Sequence, residues 1–222
     1  MKRFYRITLT VLMTALLAVS CNKDGFIMYN NQTMADIVNG ELLTDEGFYY
    51  DVVEDQSDGK WRSLERVFLV SDILSEGSNG RYNVAIKQYA EVGTLSIVRS
   101  EDIYEDIHGA DTTILQSGWK SSKQRINLVV VYPERKPDNP EKDTFYLEYD
   151  KSASNDGTLI FSLRRNSHGD HISRSELHTG GNSIKFDQKF FTVSYKDLLL
   201  DPTSDPMIKV NNGSNHAGDT KN

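Results

Sequence analysis

Val67-Phe68-Leu69-Val70 is an unbroken apolar run, bounded by Arg66 in front and Ser71-Asp72 behind. Successive residues of a strand point to opposite faces, so a run without alternation describes a strand covered on both sides. Working outward toward the N-terminus, Phe48 to Val53 is a second strand, and Ser57-Asp58-Gly59 follows it. Asp-Gly suits a type I′ hairpin turn because both central residues of that turn need positive φ. The expectation is a hairpin whose returning strand runs from Trp61 to Val70. On the other side, Gly77-Ser78-Asn79-Gly80 supplies a turn. Beyond it Tyr82, Val84 and Ile86 alternate with Arg81, Asn83 and Lys87, giving one buried and one wet face.

From Thr33 to Val98 apolar residues come in short runs separated by turn chemistry, with no helical period. Residues 99–110 are acidic, with Ile103 and Ile107 four apart and Gly109 near the end, and read as a short helical linker. A second strand-rich block spans 111–210. Ile126 to Tyr132 is apolar on both faces beyond Asn127, while Phe145-Leu147-Tyr149, Phe161-Leu163 and Phe191-Val193-Tyr195 mark half-buried strands. One central and several half-buried strands suggest a β-sandwich. Pro133 to Asp143 reads as a loop, Asn155-Asp156-Gly157 as a hairpin turn, and 211–222 as a polar tail.

The N-terminus is of a different kind. Lys2, Arg3 and Arg6 precede a largely apolar stretch from Ile7 to Val19, and Ser20 stands before Cys21, the single cysteine of the chain. The stretch falls short of the ~20 apolar residues a spanning helix needs and matches the h-region of a cleavable signal. Ala18-Val19-Ser20-Cys21 resembles a bacterial lipobox, with Ala18 where that pattern prefers Leu. Residues 1–20 are thus expected to be removed, Cys21 to be lipidated, and 21–32 to act as a tether. Each buried acyl methylene contributes ~0.8 kcal/mol, and two or more chains anchor stably. The whole chain carries a net charge of −7, and loss of the three basic residues ahead of Cys21 makes the remainder more acidic. Nucleic acid is excluded as a partner, since phosphate binding needs Lys and Arg gathered on one face and pairs such as Arg164-Arg165 are isolated.

At this point the residues resemble the NigD-like lipoproteins of Bacteroidetes. Arg66 to Val70 leading to Ile73-Leu74 looks like that family's central N-domain strand. Leu163-Arg164-Arg165-Asn166-Ser167-His168-Gly169-Asp170 looks like its C-domain signature, with Arg165 where His is expected. Phe191 to Leu198 and Met207 to Val210 look like the closing strands. The resemblance implies an all-β chain with an N-terminal OB-like barrel over 33–98 and a C-terminal β-sandwich over 111–210. It supplies no catalytic residues, and its bacteriocin-cluster origin implies an immunity role. Lys23-Asp24 is similar to the start of a surface-export signal of such lipoproteins, which leaves the leaflet open. Asp111-Thr112-Thr113 resembles their O-glycosylation sites.

Several constellations have both a chemical and a plain reading. His168, Asp170, His171 and His178 offer imidazole and carboxylate for zinc, against a solvated turn made by Gly169. Ser117-Gly118-Trp119-Lys120 matches S-x-x-K, but residues three apart on a strand face opposite ways. Glu54, Asp55 and Asp58 crowd a turn without calcium-loop spacing. Trp61, Trp119, Tyr49 and Tyr50 could stack a sugar or simply pack. No cofactor motif is present. The functional expectation is a non-enzymatic envelope protein, bound to the outer membrane through lipid on Cys21 and presenting loops to a protein or glycan. The alternatives are an immunity or inhibitor protein, and a metal-dependent hydrolase using the His168 group.

Overall fold

A computed structural model describes residues 30–102, 114–134, 143–155, 157–167, 172 and 184–212. The chain is all-β. β1 (Asn30–Val38), β2 (Glu41–Thr44), β3 (Tyr49–Asp55), β4 (Arg66–Glu76) and β5 (Arg81–Thr94) pair in the cyclic order β1-β2-β3-β5-β4 and back to β1. Four of the five pairings are antiparallel, and the parallel β3–β5 ladder, from Tyr49 opposite Arg81 to Asp55 opposite Ile86, closes the barrel. This is the connectivity of an OB-like barrel.

The apolar run that opened the reading lies in β4, and its two faces go to different places. Val67 and Leu69 enter the barrel core with Leu42, Val84 and Ile86. Phe68 turns outward, yet it is buried against Met34 and Val92, and its ring stacks on Phe190 at 4.2 Å. The absence of alternation in the sequence is therefore the mark of a strand shared between two cores.

The remaining strands are β6 (Ser96–Arg99), β7 (Ile114–Ser121), β8 (Arg125–Glu134), β9 (Thr144–Tyr149), β10 (Thr158–Asn166), β11 (Lys185–Ser194) and β12 (Met207–Asn212). One sheet runs β5-β11-β8-β7 and the other β12-β10-β9-β6. Their facing sides bury Ile126, Leu128, Val130, Leu147, Phe161 and Leu163 in a sandwich core. β5 belongs to both halves: after its barrel residues, Val92 to Thr94 pair in parallel with Phe190 to Thr192 of β11.

Three expectations change. The turn Ser57-Asp58-Gly59 does adopt positive φ at Asp58 (57°) and Gly59 (71°), but it closes no hairpin, since β3 and β4 do not pair. Trp61 sits in a 3₁₀ turn (Lys60–Ser63), and the strand begins at Arg66. The cause is Asp55, whose carboxylate accepts the Ser57 and Gly59 amides at 2.8 and 3.0 Å and the Trp61 indole N–H at 2.8 Å. These bonds curl the chain and plug Trp61, 1 % exposed, into the barrel. Second, Ile97 and Val98, read with the N-terminal unit, lie on β6 and pair with Leu147 and Glu148 of β9 in the sandwich. Third, β1 starts at Asn30, within the expected tether. Ser100–Asp102, at the start of the expected helical linker, form a 3₁₀ turn, and residues 103–110 lie outside the described residues. The hairpin turns at Gly77–Gly80 and at Asn155 to Thr158 stand as read, the latter with reciprocal backbone bonds of 2.9 and 3.0 Å.

Candidate functional site

Asn127 interrupts the apolar run of β8 in the sequence, and the structure gives it a purpose. It faces the barrel, fully buried, donating through Nδ2 to Asp45 Oδ2 at 2.5 Å and accepting at Oδ1 from Thr192 Oγ1 (3.0 Å) and Arg66 Nη2 (3.1 Å). Arg66, from the first position of β4, reaches Asp45 Oδ2 and Asp36 Oδ1, both at 2.6 Å. The β7–β8 turn brings Lys123 Nζ to 3.0 Å and Arg125 Nη1 to 2.8 Å of Asp36. Ser122 Oγ donates to the Asp45 carbonyl at 2.5 Å. Barrel carboxylates and sandwich cations thus interlock, joining residues far apart in sequence. Among the described residues, Asp45 Oδ1 and Arg66 Nε are left without a hydrogen-bond partner.

Burial pushes the Asp36 carboxyl up, but hydrogen bonds from Lys123, Arg66 and Arg125 outweigh it and hold the group at about 2, below the usual 3.8. A carboxyl depressed by folding stabilises the native state above its unfolded value. That contribution fades as pH falls from 3.8 toward 2. Urea midpoints measured across that window are expected to drop less steeply in Asp36→Asn than in the wild type.

A second group lies at the other end of the sandwich. Arg165, 1 % exposed, pairs with Asp143 at 2.9 Å and lies over the Tyr132 ring at 4.6 Å. The Tyr132 hydroxyl donates to Asp187 at 2.6 Å, and burial together with that carboxylate raises its pKa. Arg164 pairs with Glu148 at 2.5 Å. Both members of the Arg164-Arg165 pair are thus engaged by carboxylates.

A cleft of about 330 Å³ opens between β7 and β12, which are edge strands of the two facing sheets. Leu115 and Ile126 belong to the sandwich core beneath it, Ile208 and Val210 come from β12, and Trp119 and the exposed Met207 flank it. Lys120 is the charged residue of its lining. Cross-strand partners share a face, so Lys120, opposite Ile126, points between the sheets, whereas Ser117, opposite Val129, points away. The S-x-x-K spacing therefore brings no nucleophile to its lysine. Lys120 Nζ instead meets Asp205 Oδ1 at 2.5 Å and the Pro206 carbonyl at 3.1 Å. Sequence reasoning missed this cleft, although the inward Gly118 and Lys120 on an edge strand were its signal.

The other singled-out residues are placed as follows. Trp61 and Tyr50 are buried in the barrel, Tyr49 is partly buried beneath the Arg81 guanidinium at 5.1 Å, and Asp55 is consumed by its turn. Among the described residues no group of three His, Cys, Asp or Glu side chains could hold a metal. His168, Asp170, His171, His178, Cys21 and Asp111 to Thr113 lie outside the described residues. No helix of the described residues is long and apolar enough to cross a membrane.

No family model and no curated protein matches the chain. Solved structures do. A protein of unknown function from Bacteroides vulgatus is 20 % identical, with a TM-score of 0.58 over 81 % of this chain and 82 % of that one. A NigD-like immunity protein from Bacteroides caccae is 16 % identical, with a TM-score of 0.55 over 84 % and 87 %. A candidate lipoprotein from Bacteroides fragilis is 12 % identical, with a TM-score of 0.54 over 81 % and 86 %. These likenesses show a shared fold, and the resemblance read from the sequence is met at that level.

Proposed function

We propose, from the fold this chain shares with a NigD-like immunity protein and a candidate lipoprotein of Bacteroides, that it is a lipid-anchored, non-catalytic binding protein of the cell envelope. One observation carries the binding part of the reading. The largely apolar cleft between β7 and β12 offers surface to a partner, while the charged groups gathered nearby at Asp36, Asp45 and Arg66 are engaged with one another in ion pairs. Ion pairs so tightly matched hold these side chains in a fixed geometry. The anchoring part is supported by the signal-like residues 1–20 and by Cys21 directly behind them.

Radiolabelled palmitate is expected to enter the wild-type chain and not Cys21→Ser, and the variant is expected to leave the membrane fraction. Equal labelling of both would refute the anchor. Passing envelope extract over the immobilised mature chain, alongside a glycan array, tests the binding role, and a blank in both would end it.

An immunity role is a second reading, supported by the fold likeness to the NigD-like immunity protein of Bacteroides caccae. Deleting the gene is then expected to sensitise cells to the toxin of the same strain, and unchanged sensitivity would remove it.

A further inference from the structure

The inner face of a sandwich strand ordinarily carries apolar residues, and β7 breaks that pattern at its exposed edge. Leu115 packs against the core, Gly118 yields its space to the Leu128 side chain, 3.1 Å from where a Cβ would stand, and Lys120 follows. A large apolar residue at 120 would fill the gap between the sheets. The lysine instead runs along the rim to Asp205 and leaves the interior open between Ile126 and the β12 residues Ile208 and Val210. An inward charge on an edge strand also discourages edge-to-edge pairing. That role accounts for the charge but not for an apolar chamber behind it.

We propose that this cleft binds a medium-chain aliphatic monocarboxylate, its tail between Leu115, Ile126, Ile208 and Val210 and its carboxylate on the Lys120 ammonium. The volume of about 330 Å³ suits a small ligand and no more. Charge complementarity sets the head group: the lining is apolar but for one cation. Asp205 holds that cation from a side chain 78 % exposed, where water screens the pair and its worth is small. A ligand carboxylate delivered by a buried tail can take the place of Asp205 and release it to solvent. No bond is made or broken in the exchange.

This inference deepens the binding reading and rests on it. The test uses the chain from residue 21 with Cys21→Ser, which keeps every described residue and carries no acyl group to compete. Octanoate is titrated by calorimetry, with 1-octanol as the neutral probe. The expected result is one saturable octanoate site, weakened on the order of tenfold in Lys120→Met while 1-octanol binding is kept. Val210→Trp, which fills the chamber, should abolish both ligands while thermal melting shows the fold intact. Absence of octanoate binding, or equal binding by wild type and Lys120→Met, overturns the proposal. If that happens while envelope extract still yields a saturable partner, the ligand class falls and the binding role survives.

Discussion

Replacing Arg66 with methionine is expected to lower stability by about 3–5 kcal/mol, because it leaves a buried carboxylate without its cation. The Asp45 side chain is 2 % exposed and, among the described residues, takes its charge-bearing partner from Arg66, with Asn127 adding a neutral hydrogen bond. Asp36 is better protected, since Lys123 and Arg125 also reach it. The loss should therefore track Asp45. The double variant Arg66→Met with Asp45→Leu is expected to recover much of the deficit, because removing both partners also removes the stranded charge. Urea unfolding of the wild type, both single variants and the double variant forms the cycle that checks this. A double variant no more stable than Arg66→Met would show that the network does not work as a unit.

Trp61→Ala should cost a similar amount, about 3–5 kcal/mol, by leaving a cavity in the barrel and depriving Asp55 of a hydrogen bond. Trp61→Phe separates the two contributions. It keeps most of the buried ring but not the indole N–H, so it is expected to cost roughly 1–3 kcal/mol. Thermal denaturation of both variants measures the difference. Neither should alter binding to a glycan array, because a side chain 1 % exposed cannot stack on a sugar.

Most of the strands could be read before any coordinates. Alternation in Tyr82, Val84 and Ile86 placed a wall of the barrel, and the run Val67 to Val70 announced a strand with two covered faces. Where the reading slipped, a local rule met a local competitor. Asp-Gly delivered its positive φ values, but the Asp55 carboxylate captured the chain behind it and turned an anticipated hairpin into a 3₁₀ loop that feeds Trp61 inward. The Asp36, Asp45, Arg66 and Asn127 cluster was illegible for a different reason. The bonded partners in and around it lie as many as 89 positions apart, as Asp36 and Arg125 do, and no periodicity links an aspartate on β1 to an arginine on β8. Asn127 alone left a trace, as the polar break in an apolar strand. The β7–β12 cleft left a fainter one: a glycine and a lysine sit where an inward-facing strand calls for bulk.

The length of β5 has a further consequence. Because one uninterrupted strand of fourteen residues serves as barrel wall at its start and as sheet neighbour to β11 at its end, the chain has no seam along which it can be divided. Either half expressed by itself would carry a severed ladder and the bare face of Phe68 or Phe190. Autonomy is thereby surrendered, and the halves are bound to melt in a single concerted step.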